Sequence, residues 1–568
     1  MKLDALKKNI ARLYRLLSPK HKLYLCLLII LTIGFSLIEM AGISAIMPFI
    51  SLASNPALLD AGWYKKAFDL LNFTEPKSFI FAFGAGIVVF YFFRAFYSIG
   101  LTWLINRYPR ALHVHLSGTL FKTILAMPYR LYAEKNSADL IQIIGGATNT
   151  LGTLVLNVLQ LCVELFTVAL VYTLMLVINW QITIVLTGIL LVIVLGITHI
   201  LLEKNKSLGK KQTDATIGAS RILREVFGNF KFVRLRGNEE TILRDYGALI
   251  TRAGRAEAVS NTLGLMPKSI LESIGFSLLV GAVMFILWFY DDASRIIPLI
   301  SMYALALYRI LPAVHRLLQN LNNIAYSQYA LKIVDGAMHQ SIEHEGNAPI
   351  AFEKSIRLEQ ISFSYATGGV ILKNISLEIA RGERVAVTGE SGSGKSTLID
   401  LIIGIHKPDS GFLYLDGAQV TPENVRSWRG KIGYIPQSIY LFDGTVAENV
   451  TFGSQHDEAR LRTVLEMANI WEFLADKDGI HTRVGEEGIQ LSGGQQQRIG
   501  IARALYHDPD VLVLDEATSA LDTETEAKIM DEIYSVSKNK TLIVIAHRLS
   551  TVERCDRRIR IENGGIVL

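Results

Sequence analysis

The sequence predicts a helical membrane domain with six spans, followed by a C-terminal α/β domain that contains a P-loop. About the first 330 residues contain several long apolar runs, whereas about the last 225 mix charge, glycine and short apolar strands, as soluble α/β domains do. Residues 389–396 read G-E-S-G-S-G-K-S, which is a complete P-loop. We therefore expect a membrane domain at 1–335, a linker at 336–350 and a nucleotide-binding domain at 351–568.

Six apolar runs are long enough to cross the roughly 30 Å of hydrocarbon in a bilayer. They lie near residues 23–50, 79–104, 151–178, 182–202, 270–289 and 296–318. Basic residues before the first run place the N-terminus in the cytoplasm, and an even number of spans returns the C-terminal domain to the same side, where ATP is. A cleaved signal peptide is the alternative for the first run, but its removal would leave five spans and strand the P-loop domain away from ATP.

The connections between these runs alternate in length. Residues 179–181 form a tight external turn, whereas 105–150 and 203–269 are long, rich in Arg and Lys, and keep helical patterning. We therefore expect the membrane helices to continue into the cytoplasm. They would meet the P-loop domain through short turns near residues 127–135 and 227–236.

The composition limits the class of protein and its compartment. A net charge of +5 over 568 residues is too small to indicate a nucleic-acid partner. Cys26, Cys162 and Cys555 lie far apart and match no metal-ligand spacing. We interpret them as packing residues in a reducing compartment rather than as a disulfide framework.

ATP hydrolysis requires a phosphate cradle, a magnesium site and a polarised water, and the sequence offers a candidate for each. Lys395 and the backbone of 389–394 would hold the phosphates, while the Ser396 hydroxyl suits Mg²⁺ because a hard cation prefers oxygen ligands. The apolar run 511–514 predicts a buried parallel strand that carries Asp515 and Glu516 to its carboxyl end. Asp515 would face Mg²⁺ through water, and Glu516 would orient and deprotonate the attacking water.

A second motif, L-S-G-G-Q at residues 491–495, follows the P-loop by about 100 residues, and the pair together resembles the ABC ATPases. The resemblance implies that Gln437 reaches Mg²⁺ and the water, that His547 contacts the γ-phosphate, and that Tyr365 stacks on adenine. It also makes S-A-L-D at 519–522 the D-loop. The nucleotide-binding residues predicted in this way are Tyr365, Gly389, Glu390, Ser391, Gly392, Ser393, Gly394, Lys395, Ser396, Thr397, Ser492, Gly493, Gly494, Gln495 and Asp522.

Taken singly, several of these residues have a structural alternative. Tyr365 could be an ordinary strand residue, His547 a loop histidine with its hydrogen bonds satisfied, and Gln437 a turn residue. The order of the motifs along the chain favours the functional interpretation.

The family resemblance also predicts the assembly. In ABC ATPases the signature motif covers the nucleotide of the partner subunit, so one P-loop and one L-S-G-G-Q per chain imply a homodimer with two composite sites. Residues 482–488 resemble the X-loop of exporters, which touches the membrane-domain turns of the opposite subunit. Six spans, long cytoplasmic helices and one C-terminal ATPase together resemble an ABC exporter half-transporter.

Ionisable residues inside the spans are functional candidates, because each costs several kcal/mol unless it faces a cavity or a partner. They are Glu39, Arg94, Glu164, Lys268, Glu272, Arg309 and Arg316. At 1.5 Å per residue from the external end of each span, Arg94 and Arg309 lie at about 23 and about 20 Å, and Lys268 and Arg316 at about 33 and about 30 Å. Arg309 and Arg316 are seven residues apart and share one helix face.

These four basic residues would line a central cavity in a homodimer and suit a phosphate or pyrophosphate group, because guanidinium forks match phosphate oxygens. Two alternatives stay open. Lys268 and Glu272 are four residues apart and could neutralise each other. The deeper pair could instead reach the lipid headgroups by snorkelling.

The connection between the first two spans predicts an amphipathic helix over about 58–71, lying on the external face of the membrane. Leu59, Trp63, Ala67 and Leu70 recur at helical spacing, with charged residues between them. A plain folded loop is the alternative.

With these features together, the chain resembles the half-size bacterial ABC flippases for lipid-linked oligosaccharides, which serve protein N-glycosylation or O-antigen assembly. The resemblance runs nearly end to end and includes residues 36–39, 47–50, 92–95, 271–276, 304–312 and 530–534. It implies that Arg94, Arg309 and Arg316 handle the pyrophosphate and that the external helix contacts the polyprenyl tail. Lys268 stands where an arginine is expected, which keeps the charge but weakens a bidentate contact.

The expected function is ATP-driven flipping of an undecaprenyl-pyrophosphate oligosaccharide from the cytoplasmic to the periplasmic leaflet. ATP and Mg²⁺ are the expected cofactors. The expected location is the bacterial inner membrane, with the N-terminus and the ATPase in the cytoplasm. Among transporters, the alternatives are a lipid A-core or peptide exporter, and outside that class an ATP-gated channel or regulator.

Overall fold

The computed structural model describes residues 11–54, 59, 62–178, 180–289, 297–365, 369–485, 488–515, 523–546 and 552–567. The chain divides into two compact units. The helical unit comprises Met1–Leu125 and Lys135–Gln340, and the α/β unit comprises Ala126–Glu134 and Ser341–Leu568. The nine residues 126–134, which we call the inserted turn, therefore belong to the α/β unit although they lie between helices of the other unit in the sequence.

In the part of the helical unit that the structure describes, six helices have 31 to 51 residues, and each predicted span falls on one of them. They are α1 (Pro19–Ser54), α3 (Pro76–Leu125), α6 (Thr148–Ile178), α7 (Trp180–Gly228), α9 (Glu239–Phe289) and α10 (Ile297–Met338). The shorter helices of the unit are α2 (Gly62–Leu70), α5 (Ser137–Gln142), a π-helical turn (Ile143–Ala147) and α8 (Phe230–Arg236). Three segments of the described chain are long and apolar enough to cross a membrane, namely Pro19–Gly42, Pro76–Leu125 and Ser137–Val177.

The long helices extend well past the predicted ends of the spans. In α3, Leu112, Leu116 and Leu120 are fully buried at a spacing of four residues, which is the repeat of one helix face. They pack with Leu151 and Leu154 of α6 in one core cluster. This apolar stripe continues the helix beyond residue 104, as the basic but helically patterned connection predicts.

The connection between α1 and α3 contains helix α2, within the segment predicted as an amphipathic helix. Tyr64, Ala67 and Phe68 pack against a small cluster built on Leu52, Leu59 and Phe79. Leu70 lies outside that cluster and is 82% exposed. Leu59 and Ala67 of the predicted apolar face belong to this cluster, together with Tyr64 and Phe68. That the segment lies on the membrane surface stays a prediction. The side chain of Trp63 lies outside the described residues.

The α/β unit contains two sheets. The four-stranded sheet has the order β2-β1-β4-β5, with β1 (Ser355–Ser364), β2 (Val370–Ala380), β4 (Ser410–Leu415) and β5 (Ala418–Gln419). The six-stranded sheet has the order β10-β9-β3-β8-β7-β6, with β3 (Arg384–Gly389), β6 (Ile432–Ile435), β7 (Val511–Asp515), β8 (Thr541–Ile545), β9 (Arg557–Glu562) and β10 (Gly565–Val567).

Strands β9, β3, β8, β7 and β6 are parallel, so their carboxyl ends meet at one edge of the sheet. Val511 to Leu514 and all of β8 are almost completely buried, as expected for central parallel strands covered on both faces. The remaining helices are α4 (Tyr129–Tyr132) in the inserted turn, α11 (Lys395–Ile402), α12 (Val425–Arg429), α13 (Val446–Thr451), α14 (Glu458–Met467), α15 (Trp471–Ala475), a 3-10 turn (Gly479–His481), α16 (Gly493–Leu505) and α17 (Thr523–Val536).

Candidate functional site

The P-loop forms the turn between β3 and α11, at the carboxyl edge of the six-stranded sheet. Gly389, Gly392 and Gly394 have φ values of 150°, 79° and 105°, which favour glycine. A Cβ atom on Gly389 would lie 2.4 Å from the carbonyl oxygen of Ile561. The turn therefore requires glycine there, and it leads directly into the N-terminus of α11, where backbone N–H groups are free to bind an anion.

Two side chains of the turn fit a phosphate group. Lys395 is buried, and its Nζ donates to the carbonyl oxygens of Gly389 at 3.1 Å and of Glu390 at 2.9 Å. The Oγ atom of Ser393 is buried without a hydrogen-bond partner among the described residues. A phosphate oxygen would satisfy that hydroxyl and compete for the lysine. Of the other predicted residues in this segment, Glu390, Ser391, Gly392 and Ser396 are exposed and Thr397 is buried.

Asp515 is the last residue of β7 and lies at the same sheet edge, with β8 between its strand and the P-loop strand. Tyr434 of β6 donates a hydrogen bond from Oη to Oδ2 of Asp515 at 3.1 Å. Burial raises the pKa of Asp400 on α11 to about 6, and the charge of Asp515 contributes to the same shift. Carboxylates that disfavour each other's charge create a site that a divalent cation would stabilise.

The candidate ligands for such a cation are Ser396, Asp515 and Gln437, all of which offer oxygen atoms. Gln437 is exposed and follows the carboxyl end of β6 by two residues. Within the described ranges, no group of three or more His, Cys, Asp or Glu side chains could hold a metal ion alone. The donor set fits Mg²⁺, which takes few protein ligands and is completed by waters and substrate phosphates.

Tyr365, the predicted adenine-stacking residue, follows the end of β1 and is anchored from two sides. Its hydroxyl lies 3.3 Å from Oγ1 of Thr397, the residue after the P-loop. Its ring makes edge contacts with Phe363 and His406, with ring centroids 5.2 and 5.6 Å away. The structure thus ties the aromatic residue to the P-loop helix, which the separation in sequence does not reveal.

The signature motif starts α16. Ser492 is the N-cap and forms a capping box with Gln495: the Ser492 backbone N–H donates to Gln495 Oε1 at 2.8 Å, and the Gln495 N–H donates to Ser492 Oγ at 3.4 Å. Ser492 and Gly493 are exposed, while Gly494 and Gln495 are half-buried. The motif therefore presents an outward-facing helix N-terminus, whose dipole favours phosphate.

Three predicted residues, Glu516, Asp522 and His547, lie outside the described residues. The described strands end close to two of them. β7 ends at Asp515, immediately before Glu516, and β8 ends at Ile545, two residues before His547.

Two family models match this chain, one in the α/β unit and one in the helical unit. Residues 372–519 match the family model described as ABC transporter, and residues 23–290 match that described as ABC transporter transmembrane region. A protein of Ralstonia nicotianae named ATP-dependent lipid A-core flippase is 31% identical over 497 residues, which cover 84% of this chain and 81% of that protein. The chain is an ABC transporter.

Further relatives are similar over most of their length. A lipid A-core flippase of Thiobacillus denitrificans is 28% identical, covering 94% of this transporter and 92% of the relative. The heterocyst differentiation ATP-binding protein HepA of Nostoc is 28% identical over 79% and 74% of the two chains.

Among solved structures, a bacterial Atm1-family ABC exporter with ATP bound aligns with a TM-score of 0.78 and 22% identity, covering 97% of this chain and 94% of that one. The transporter therefore has the fold of an ABC exporter half-transporter. It is a multi-pass membrane protein that binds ATP and couples its hydrolysis to transport.

The inserted turn contributes directly to the α/β unit of the transporter. Nη1 of Arg130 donates to Oδ1 of Asp409 at 3.1 Å, and its guanidinium lies 5.5 Å from the ring centroid of Phe363. The ring of Tyr129 lies 5.5 Å from that of His406. One of the two predicted contact turns therefore lies against the ring cluster that holds Tyr365. The other, around 227–236, belongs to the helical unit as α8.

Two of the predicted substrate residues form ion pairs within the helical unit. Arg94 donates from Nη2 to Oε1 of Glu39 at 2.7 Å, and Glu39 is buried. Arg316 donates from Nε and Nη2 to the two carboxylate oxygens of Glu164 at 2.5 and 3.1 Å. Glu164 is also buried, whereas the side chain of Arg316 is 52% exposed.

The predicted basic lining is therefore partly neutralised inside each protomer. Both acids were candidates in the sequence, but their partners are 55 and 152 residues away and could not be assigned from it. Arg309 lies on α10, seven residues before Arg316, and its side chain is outside the described residues. Lys268 lies on α9.

Beside Arg316 the structure contains a cavity of about 210 Å³, which we call the Arg316 pocket. It lies between α1, α3, α6 and α10. Its polar lining besides Glu164 and Arg316 consists of Ser98, Thr102, Asn106, Gln160, Gln319 and Asn320. None of these residues was predicted, because uncharged polar side chains within or just beyond a span carry no strong signal in the sequence. Their spacing could have found them, since Ser98, Thr102 and Asn106 recur every four residues on one helix face.

Proposed function

We propose that this half-transporter flips an undecaprenyl-pyrophosphate-linked oligosaccharide from the cytoplasmic to the periplasmic leaflet of the bacterial inner membrane, for protein glycosylation or O-antigen assembly. The observation that carries the proposal is the half-exposed Arg316 guanidinium held by buried Glu164. An ion pair among apolar helices is costly to place there unless it serves a site. The Nε and Nη2 atoms of Arg316 donate to Glu164, so Nη1 is the group that would donate to a pyrophosphate oxygen.

Two further points support a lipid with a charged headgroup. The relatives from Ralstonia and Thiobacillus are named lipid A-core flippases, which supports a lipid cargo. The resemblance to the oligosaccharide flippases further implies that Arg94, Arg309 and Arg316 are basic cavity residues, with Lys268 keeping the charge at a fourth position. Lipid A-core is the second candidate cargo, and the names of those relatives favour it.

For the ATPase, the proposed roles follow from the positions at the sheet edge. Lys395, Ser393 and the N-terminus of α11 would hold the phosphates, and Tyr365 would stack on adenine. Mg²⁺, when bound, would neutralise charge on the phosphates. Ser396, Gln437 and Asp515 would hold it.

Glu516 is proposed as the base that takes the proton of the attacking water, with His547 on the γ-phosphate. The outward-facing N-terminus at Ser492 would cover the nucleotide of the partner in a homodimer.

The cargo is tested with the purified transporter in proteoliposomes. We expect undecaprenyl-pyrophosphate oligosaccharide to be flipped in the presence of ATP and Mg²⁺, and lipid A-core to be flipped at least tenfold more slowly. Arg309→Ala and Arg316→Ala should each reduce flipping by about tenfold or more, because each removes a charge-assisted phosphate contact worth about 1.5–3 kcal/mol. Flipping of lipid A-core at the faster rate, or wild-type rates in both variants, contradicts the proposal.

A further inference from the structure

Eight of the twelve residues that line the Arg316 pocket have polar or charged side chains. Three helices contribute to its polar lining: α3 through Ser98, Thr102 and Asn106, α6 through Gln160, and α10 through Gln319 and Asn320. The lining thus contains four carboxamides, each with donors and an acceptor on one group. Such groups match vicinal hydroxyls, which also donate and accept, better than they match a purely anionic or purely apolar ligand.

The size of the pocket limits its occupant. Its volume of about 210 Å³ is below the 300–1,000 Å³ typical of sites for drug-sized ligands. An engineered cavity of about 150 Å³ is large enough to bind a benzene ring. One sugar ring is a group of suitable size, whereas a whole oligosaccharide is too large.

The depth of the pocket in the membrane also suits a sugar ring next to a lipid headgroup. At 1.5 Å per residue from the external ends of the predicted spans, Gln160 lies at about 27 Å and Arg316 at about 30 Å. Both values place the pocket near the cytoplasmic boundary of a hydrocarbon layer about 30 Å thick. The headgroup of a lipid in the cytoplasmic leaflet lies at that level.

Arg316 is the residue of the pocket that would bind a phosphate group. Its Nε and Nη2 donate to Glu164, while Nη1 makes no hydrogen bond to the part of the chain that the structure describes. Half of the side chain is exposed. A phosphate on the free edge of the guanidinium would place the next covalently attached group within reach of the carboxamides.

We propose that the Arg316 pocket binds the first sugar ring of the cargo, the ring joined to the pyrophosphate, through its carboxamide side chains. The inference rests on the proposed function, since it requires a pyrophosphate-linked glycan. It adds that the transporter recognises the reducing-end sugar and not only the pyrophosphate and the lipid tail.

The test compares two lipids that differ by one ring: undecaprenyl pyrophosphate and undecaprenyl-pyrophosphate-N-acetylglucosamine. ATPase stimulation of the full-length transporter in nanodiscs gives the half-maximal concentration of each. For the wild type, we expect the half-maximal concentration of the sugar-bearing lipid to be about tenfold lower than that of undecaprenyl pyrophosphate. A tenfold difference is the effect of one or two net hydrogen bonds.

Gln160→Leu and Gln319→Leu should raise the half-maximal concentration of the sugar-bearing lipid about tenfold and change that of undecaprenyl pyrophosphate less than twofold. Gln160→Met keeps the size and removes the amide without adding a charge, so it provides a second variant with the same expected shifts if the leucine variants are unstable. Asn149→Leu, which removes an exposed amide on α6 outside the pocket lining, should behave as the wild type for both lipids.

Equal shifts for the two lipids, or no shift for either, overturn the inference and leave the cargo unaffected. If neither lipid stimulates the wild-type ATPase, the proposed function itself is wrong. The two failures are therefore distinguishable.

Discussion

His406 stacks on Phe363, with ring centroids 4.7 Å apart and the rings inclined by 30°. The same histidine contacts Tyr365 on one side and Tyr129 of the inserted turn on the other. It is 4% exposed, and its Nε2 has no hydrogen-bond partner among the described residues. His406 therefore connects a turn between the membrane helices with the residue proposed to stack on adenine, and it does so as an aromatic ring.

Replacing that ring should weaken ATP binding. We expect His406→Ala to raise the KM for ATP about 3- to 10-fold with little change in kcat, because aromatic contacts are worth about 0.5–1.5 kcal/mol each. His406→Phe keeps the ring and should stay within twofold of the wild type. The steady-state ATPase rate as a function of ATP concentration gives both constants. If the KM for ATP is unchanged in His406→Ala, His406 is not needed to position Tyr365.

Arg130 should affect coupling more than hydrolysis. Its ion pair with Asp409 is partly exposed, and Asp409 also accepts hydrogen bonds from the backbone N–H and the Oγ of Ser364. We expect Arg130→Ala to keep the basal ATPase rate within about twofold and to lose most of the stimulation by cargo lipid. Arg221→Ala, which removes an exposed pair with Asp139 inside the helical unit, is the matched control. Equal loss of stimulation in both variants would argue against a specific role of the inserted turn.

Glu164 sets the charge available on Arg316. We expect Glu164→Gln to destabilise the transporter by about 1–2 kcal/mol, less than the 3–5 kcal/mol of a fully buried pair, because Arg316 is half exposed. The freed guanidinium should also lower the half-maximal concentration of undecaprenyl pyrophosphate about threefold. Thermal unfolding and lipid-stimulated ATPase measure the two effects. Glu225→Gln on α7, which removes an exposed acidic charge outside the predicted spans, should show neither.

Stability should depend on pH through His406. Burial, with a smaller contribution from Arg130, lowers the pKa of this histidine below its usual 6.5. The folded protein therefore binds the proton less well than the unfolded chain does. The stabilisation is complete above about pH 6.5 and is lost as the pH falls from there towards the folded pKa.

Asp400 titrates in the same pH range, and its Oδ2 lies 3.9 Å from Nε2 of His406. Because the pKa of Asp400 is raised, its contribution to stability changes with pH in the opposite direction. The comparison with His406→Phe isolates the histidine. The melting temperature should fall more for the wild type than for this variant between about pH 7.5 and about pH 5.5. An equal fall in both would contradict the prediction.

Sequence predicted the parts of this transporter that are encoded locally. The P-loop and the L-S-G-G-Q motif are contiguous segments whose backbone forms a turn and a helix N-terminus, and Asp515 ends a strand that its own apolar residues define. A span is likewise a property of about 20 consecutive residues. These features need no knowledge of what packs against them.

The rest depends on which helices become neighbours. Glu164 and Arg316 are 152 residues apart, and the separation does not reveal that they share one ion pair. For a related reason, the sequence does not indicate that Tyr64 and Phe68 of α2 pack against Leu52 and Phe79. The sequence does not single out His406, because its role depends on contacts with the rings of Tyr129, Phe363 and Tyr365, which come together only in the folded α/β unit.

The inserted turn has a consequence for the order of synthesis. Residues 126–134 leave the ribosome before residue 341, where the rest of the α/β unit begins, and four predicted spans lie between them. During that interval the aromatic and basic side chains of the turn have no partner in their own unit. An ATPase domain expressed from residue 341 onward would lack the contacts that Tyr129 makes with His406 and that Arg130 makes with Phe363. The α/β unit is therefore complete only when residues 126–134, which are synthesised before four of the predicted spans, are present together with residues 341–568.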